Sequence, residues 1–256
     1  MRVLVCIKRV PLVGGKITLR EDSLAVDTKY LGFTFSPHEE CAVEEAVRIT
    51  EQHGGSATVM TLGPPEATEQ LQFAMSLGVH DAVLLEDGGH EWGPMATAAA
   101  IAEDILEQQQ LGKGWDLILF GTDAPDSGDY QVGARVAEAL GMPYATGIKG
   151  IEIGDAGVVL RRENGASVEL TAMGLPAVVA VKEGLNLPRY PSLPGRLRAK
   201  SKPIRKATPS WQSDPNKTVR FRLPAVERSA AIQLGEGVEA VDSIIALLKD
   251  LGMVAK

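Results

Sequence analysis

The stretch DLILFGTDAPDSGDYQVG, from Asp116 to Gly133, decides the fold: an apolar strand, a turn bounded by glycines, then the opening of a helix expected over Tyr130–Leu140. A strand that feeds straight into a helix is the building unit of an α/β sheet, whose ligands sit beyond the carboxyl ends of the strands. Asp126-Ser127-Gly128-Asp129 can turn the chain and cap the helix, which leaves backbone N–H groups free to meet a phosphate oxygen. Asp123, Asp126 and Asp129 repel a phosphate, so an anion here would be held by backbone N–H groups or by Ser127. Neither a Walker lysine nor a complete GxGxxG accompanies the turn. On spacing alone a nucleotide site and a plain capped connection fit equally.

Upstream of this stretch, strands and helices alternate. Arg2–Val10 is an almost unbroken apolar run, as in a strand covered on both faces. Ile17–Leu19 and Leu24–Tyr30, parted by the polar turn Arg20–Ser23, predict a small hairpin insertion. Ser36-Pro37-His38-Glu39 has the form of a capping box with proline in the first turn. The helix it opens places Ala42, Val43, Ala46, Val47 and Ile49 inward and Glu44, Glu45 and Arg48 outward, and ends at Gly54-Gly55. Strand Ala57–Leu62, a helix over Glu66–Leu77, strand Ala82–Leu85 and a helix over Met95–Gln109 follow. This order predicts a doubly wound, mostly parallel, Rossmann-like sheet, with the loops after Val10, Leu62 and Phe120 gathered at one edge.

Downstream, the short runs Ile148–Ile153, Val158–Arg162, Val168–Ala172 and Ala177–Val181 predict a β-rich, partly antiparallel extension. Past Gly184 the chain turns proline-rich and basic, which predicts an extended arm, and Val238, Val241, Ile245, Leu248 and Leu251 mark one face of a final helix. The expected division is an α/β domain over 1–184, a basic loop over 185–206 and a C-terminal arm over 207–256.

The 256 residues, 45% of them hydrophobic, suffice for a core, and no apolar stretch approaches the ~20 residues of a membrane span. MRVLVCIKRV lacks the features of a signal peptide or presequence, so a soluble, cytoplasmic protein is expected. A net charge of −7 argues against nucleic-acid binding. Cys6 and Cys41 read as core residues. The HEECA segment has Ala42 where a zinc site needs a second histidine, and no GxSxG elbow occurs. No metal site and no catalytic side chain is therefore expected. Between Arg189 and Lys206 every charge is positive. That run is either a solvated surface or a docking arm, in which Leu193 and Leu197 would anchor a partner steered by the arginines.

Four ordered blocks carry a family resemblance: VLVCIKRVP, SPHEECAVEEAVRI, GTDAPDSGDYQVG and LPAVVAVKEGLNLPRYPSLPGRLRAKSKPI. Together they resemble the beta subunit of electron transfer flavoproteins, nearly end to end. The resemblance implies a heterodimer with an alpha subunit that holds most of a shared FAD, while the beta subunit binds a second nucleotide. That nucleotide is a structural AMP, or a second FAD in electron-bifurcating members that take electrons from NADH. The implied nucleotide contacts are Cys6; Ser36, Pro37, His38 and Glu39; Leu62; and Gly121, Thr122, Asp123, Ala124, Asp126, Ser127, Gly128, Asp129, Tyr130, Gln131 and Val132. The implied partner loop is Asn186–Lys200, with Leu193 as the docking leucine for flavin dehydrogenases beside Arg189, Tyr190, Arg196 and Leu197. The chain departs from the family pattern at Pro11-Leu12-Val13-Gly14, to which no flavin contact is assigned, and at Arg162–Ala166. A stand-alone adenine-nucleotide-binding regulatory module is the reading that needs no partner.

Overall fold

Leu117, Ile118 and Leu119 are wholly buried, with Leu117 and Leu119 packed against one face of a sheet and Ile118 against the other. A strand covered on both sides requires helices above and below it, and the chain supplies them. The computed structural model describes residues 1–12, 14, 17–215, 218–224 and 231–254. They fall into two units, Met1–Arg220 and Phe221–Lys256.

In the first unit the elements run β1 (Arg2–Cys6), β2 (Val10–Pro11), β3 (Phe33–Thr34), α1 (Pro37–His53), β4 (Ser56–Gly63), α2 (Thr68–Ser76), β5 (Asp81–Glu86) and α3 (Pro94–Gln110). They continue with β6 (Leu117–Gly121), α4 (Val132–Leu140), β7 (Tyr144–Gly154), β8 (Gly157–Asn164), β9 (Ser167–Met173), β10 (Ala177–Val181), α5 (Leu193–Ser201) and β11 (Arg205–Ala207). Nine strands form one sheet in the order β11-β5-β4-β1-β6-β10-β7-β8-β9, parallel from β11 to β7 and antiparallel over β7, β8 and β9. The doubly wound α/β fold expected from the sequence is the fold observed.

Alternation along the strands sorts the core into two layers. Val3, Val5, Val59 and Leu119 face α1 and α2, through Val43, Val47 and Leu71; Leu4, Met60, Ile118 and Phe120 face α3 and α4, through Ile101, Ile105 and Val136. Each fully buried Leu, Ile or Val contributes about 1.5–3 kcal/mol. The second unit has a short 3-10 turn at Gly237–Ala240 and helix α6 (Val241–Asp250), none of whose residues is buried.

Four local expectations are corrected. The first strand stops at Cys6 instead of running to Val10, because the Lys8 N–H goes to the Glu39 carboxylate at 2.7 Å; Val10 and Pro11 pair with β3 in a separate ribbon. The hairpin insertion is present but shorter than expected: an antiparallel bridge between Leu19 and Val26 is flanked by the Arg20 N–H to Ala25 O at 2.9 Å and the Asp27 N–H to Thr18 O at 2.8 Å, and the Ser23 N–H closes the turn on Arg20 O. Glu44 and Glu45, expected in solvent, are buried, since the segment Asn186–Arg189 lies over them. The basic segment is not an extended arm: Ser192 caps the Gly195 N–H at 3.1 Å, Pro194 sits in the first turn, α5 follows, and β11 then adds to the sheet beside β5.

Candidate functional site

The chain runs from β1 outward to β4 and β5, then returns to place β6 on the other side of β1. That reversal is a topological switch point, where the loops leaving neighbouring strands part and open a crevice. A cleft of about 150 Å³ lies there. Cys6, Ile7 and Lys8 line it from the end of β1, Glu39 from α1, and Leu62 from β4. Trp92, Pro94, Thr97 and Ile101 line it from α3 and the loop before it, and Tyr144 from β7. Phe120 to Ala124, Ser127 and Asp129 to Gly133 close it. The volume is below the ~300–1,000 Å³ usual for small-molecule sites, so a bound mononucleotide would extend to the mouth.

Glu39 ties this floor together. Its carboxylate accepts the backbone N–H groups of Lys8 and Ser36, each at 2.7 Å, and the Ser36 hydroxyl at 2.9 Å, while the Ser36 oxygen accepts the Glu39 N–H at 3.2 Å. The expected capping box is thus present, and its acid also reaches the loop leaving β1. Burial pushes the Glu39 carboxyl up to about 7, against the pull of the Ser36 and Lys8 donors. Burial, with the nearby Glu39, also pushes the Cys6 thiol up, so Cys6 is an apolar wall and not a nucleophile.

Gly121 leaves β6 against this corner. A Cβ there would lie 2.8 Å from Glu39 Cγ and 3.2 Å from His38 Cβ, so the close approach needs glycine. Beyond it Ala124 O accepts the N–H groups of Ser127 at 3.2 Å and Gly128 at 2.8 Å, and Tyr130 holds a φ of 55°, in the left-handed region. Helix α4 then begins without a side-chain cap, as Gln131 spends its amide oxygen on Arg135. Its first N–H groups have no side-chain acceptor, and Gln131, Val132 and Gly133 at that start line the cleft. Asp123 Oδ1 is buried and accepts no hydrogen bond among the described residues, while the same carboxylate engages the Tyr130 hydroxyl and raises its pKa. A buried acceptor without a donor is costly, and a ribose hydroxyl or an exocyclic amine supplies one. Apolar walls, an orphan acceptor and an uncapped helix start together fit a nucleotide.

Of the residues expected at a nucleotide, Cys6, Glu39, Leu62, Gly121 to Ala124, Ser127 and Asp129 to Val132 all line the cleft. Ser36 and Pro37 stand behind it in the cap, and His38 turns away, its Nδ1 accepting the Glu183 N–H at 2.7 Å. Burial holds that imidazole below its usual pKa, which suits an acceptor nitrogen. Asp126 pairs with Lys8 at 2.8 Å, and Gly128 makes the turn with a φ of 62°. Sequence reasoning missed Lys8, Trp92, Thr97, Ile101 and Tyr144. Lys8 was legible from its place two residues past β1, at the ligand edge; the others come from elements joined to the cleft only by the tertiary fold. Among the described residues no His, Cys, Asp and Glu cluster is placed to hold a metal, and no helix is long and apolar enough to cross a membrane.

The residues expected at a partner divide into two kinds. Tyr190 is 96% exposed, Leu193 72% and Leu197 62%, and Arg196 is also exposed, its N–H bonded to Ser192 O within the first turn of α5. Arg189 instead turns inward to Glu44 and Glu51 of α1.

Comparison with known proteins agrees with this architecture. The family model described as "Electron transfer flavoprotein domain" matches residues 23–210. A protein of Bacillus subtilis (strain 168) named electron transfer flavoprotein subunit beta is 32% identical, over 97% of this chain and 98% of its own. Proteins of the same name from Syntrophomonas wolfei and Bradyrhizobium diazoefficiens are 30% and 31% identical, over 96% and 98% of this chain and 94% and 98% of theirs.

Proposed function

The chain belongs to the electron transfer flavoprotein family as a beta subunit, and from that premise we propose that it holds an adenine mononucleotide as a structural element while it serves as one half of an electron carrier. One observation carries the nucleotide reading: the orphan acceptor Asp123 Oδ1 and the uncapped start of α4 lie on one cleft at the switch point between β1 and β6. Leu62, Trp92, Ile101, Phe120 and Tyr144 give a base its apolar enclosure. Asp123 accepts from the sugar or base, and the α4 N–H groups face the phosphate.

The chain contributes no nucleophile to this cleft. The Cys6 thiol stays protonated, and Glu39 spends its oxygens on Lys8 and Ser36. Its part is to hold and to dock. The shared flavin, which supplies the redox chemistry when bound, belongs largely to the alpha subunit. Electrons enter from flavin dehydrogenases that dock on Tyr190, Leu193 and Leu197 and leave to a downstream acceptor, and the C-terminal segment packs on the alpha subunit. The exposure of these apolar side chains beside a basic helix supports the docking role.

Quantifying bound flavin and adenine nucleotide after denaturing the purified heterodimer tests the proposal. One FAD and one AMP per heterodimer are expected. Two FAD and no AMP would make the chain the beta subunit of an electron-bifurcating carrier. A chain that purifies alone with its nucleotide would sink the carrier role.

A further inference from the structure

The cleft has a charge problem that its backbone donors alone do not solve. Asp123 and Asp129 line it, Asp126 stands beside it on Lys8, and a nucleotide brings a phosphate of the same sign. Among the described residues that line the cleft, Lys8 is the one lysine or arginine. It stands just past β1, with its backbone N–H fixed on the buried Glu39 at 2.7 Å, so the root of the side chain is immobile while its end is free to swing. The ammonium group lies 2.9 Å from Asp126 Oδ1 and 3.3 Å from the Ser127 hydroxyl. Both partners belong to the turn between β6 and α4, and the pair is half open to water.

We propose that Lys8 is the cationic phosphate ligand of this cleft, held by Asp126 and Ser127 until an anion arrives. The assignment rests on the nucleotide reading above and adds to it the residue that makes a phosphate tolerable among the carboxylates of Asp123, Asp126 and Asp129. An ammonium on a flexible stem is suited to exchange one anionic partner for another, because its three donors carry no fixed fork geometry. The Lys8–Asp126 pair is solvent-accessible and therefore weak, so a phosphate dianion displaces Asp126 at small cost. Ser127, freed by the exchange, offers its hydroxyl to the same phosphate.

The phosphate dependence of binding separates this role from a structural one. Equilibrium dialysis of labelled AMP and labelled adenosine against the full heterodimer, exchanged free of endogenous nucleotide, is compared for the wild type, Lys8→Gln, Lys8→Arg and Asp126→Asn. Lys8→Gln weakens AMP roughly tenfold or more and leaves adenosine within about twofold. Lys8→Arg keeps most of the AMP affinity, and Asp126→Asn, by removing the competing carboxylate, tightens AMP and not adenosine. An equal loss of AMP and adenosine in Lys8→Gln overturns the assignment and makes Lys8 a tether of the turn, as does AMP binding that the substitution leaves unchanged. Wild-type protein that takes up neither compound overturns the nucleotide reading itself, and the Lys8 assignment with it.

Discussion

Arg189 grips Glu44 with its backbone and its side chain together: the N–H at 3.1 Å and Nε at 2.9 Å share Glu44 Oε2, and Nη2 reaches Oε1 at 3.1 Å. The outer side of the same guanidinium reaches Glu51 about two turns further along α1, at 2.7 and 3.0 Å. A planar fork that meets two carboxylates fixes the path of the chain as well as the side chain. The neighbouring Asn186 adds bonds to Cys41 O at 3.0 Å and Glu45 at 2.8 Å, so the exposed Tyr190 and Leu193 project from a segment clamped to α1. Arg189→Ala leaves Glu44 buried without its cation. The expected cost is about 2 kcal/mol, under the ~3–5 of a fully buried pair because Arg189 keeps contact with water. Urea unfolding at neutral pH measures it, and Arg189→Lys should recover only part, since an ammonium cannot reach both acids.

Leu193 occupies the first position of α5 and is 72% exposed, a place where its side chain supports nothing in its own chain. On the docking proposal, Leu193→Ala slows electron transfer from flavin dehydrogenases, with a raised half-saturation for the carrier of roughly tenfold, as for a buried interface anchor. Heterodimer assembly and bound nucleotide stay unchanged. Stopped-flow reduction by a dehydrogenase, with size-exclusion chromatography as the assembly check, reads both; wild-type kinetics in the variant would remove Leu193 from the docking surface.

Gly121 and Gly133 bound the turn, and only one of them is sterically committed. A Cβ at Gly121 meets Glu39 Cγ at 2.8 Å and the Glu39 nitrogen at 3.3 Å, inside the capping corner, whereas one at Gly133 meets Phe120 and Tyr144 at ordinary contact, 3.4 Å. Gly121→Ala is expected to cost about 1–3 kcal/mol by overpacking and to loosen the nucleotide. Gly133→Ala should fold with near wild-type stability. Paired melting curves decide this, and two variants of equal stability would contradict the close approach at Gly121.

The central layer was legible in the sequence because its signals are local. Leu117–Phe120 is apolar without interruption, and Ser36 with Glu39 announces a helix start that the structure reproduces atom for atom. The same kind of signal, Ser192 followed by Pro194, opens α5, yet the density of arginine and lysine around it read as an extended arm. Charge hides helices of this sort, since α5 buries only Gly195 and Ala199 and shows no apolar stripe. Glu44 and Glu45 misled for the converse reason. Their burial depends on Asn186 and Arg189, more than 140 positions away, and no periodicity along α1 encodes a cover that arrives from so far along the chain. The cleft divides similarly: the turn from Gly121 to Gly133 was visible as a strand-to-helix junction, while Trp92 and Tyr144 enter it only through the packing of α3 and β7.

Glu39 gives the fold a pH dependence whose sign follows from its burial. The carboxyl rises from 4.5 to about 7 because desolvation disfavours its charge more than the Ser36 and Lys8 donors favour it. Between those values the folded chain holds a proton that the unfolded chain has released. The stabilisation is therefore complete below about 4.5 and is lost as pH rises through about 7. Glu39→Gln keeps the shape and an acceptor oxygen but does not titrate, so it lacks this component. The difference in unfolding free energy between wild type and Glu39→Gln should fall from pH 5 to pH 8, by on the order of 2–3 kcal/mol. Lys8 works against the trend, since its ammonium favours the ionised carboxylate, and Lys8→Gln should steepen it. Heat or urea unfolding of both proteins at pH 5, 6, 7 and 8 measures the difference, and profiles that run parallel would mean that Glu39 is ionised throughout and that the donors of Lys8 and Ser36 outweigh its burial.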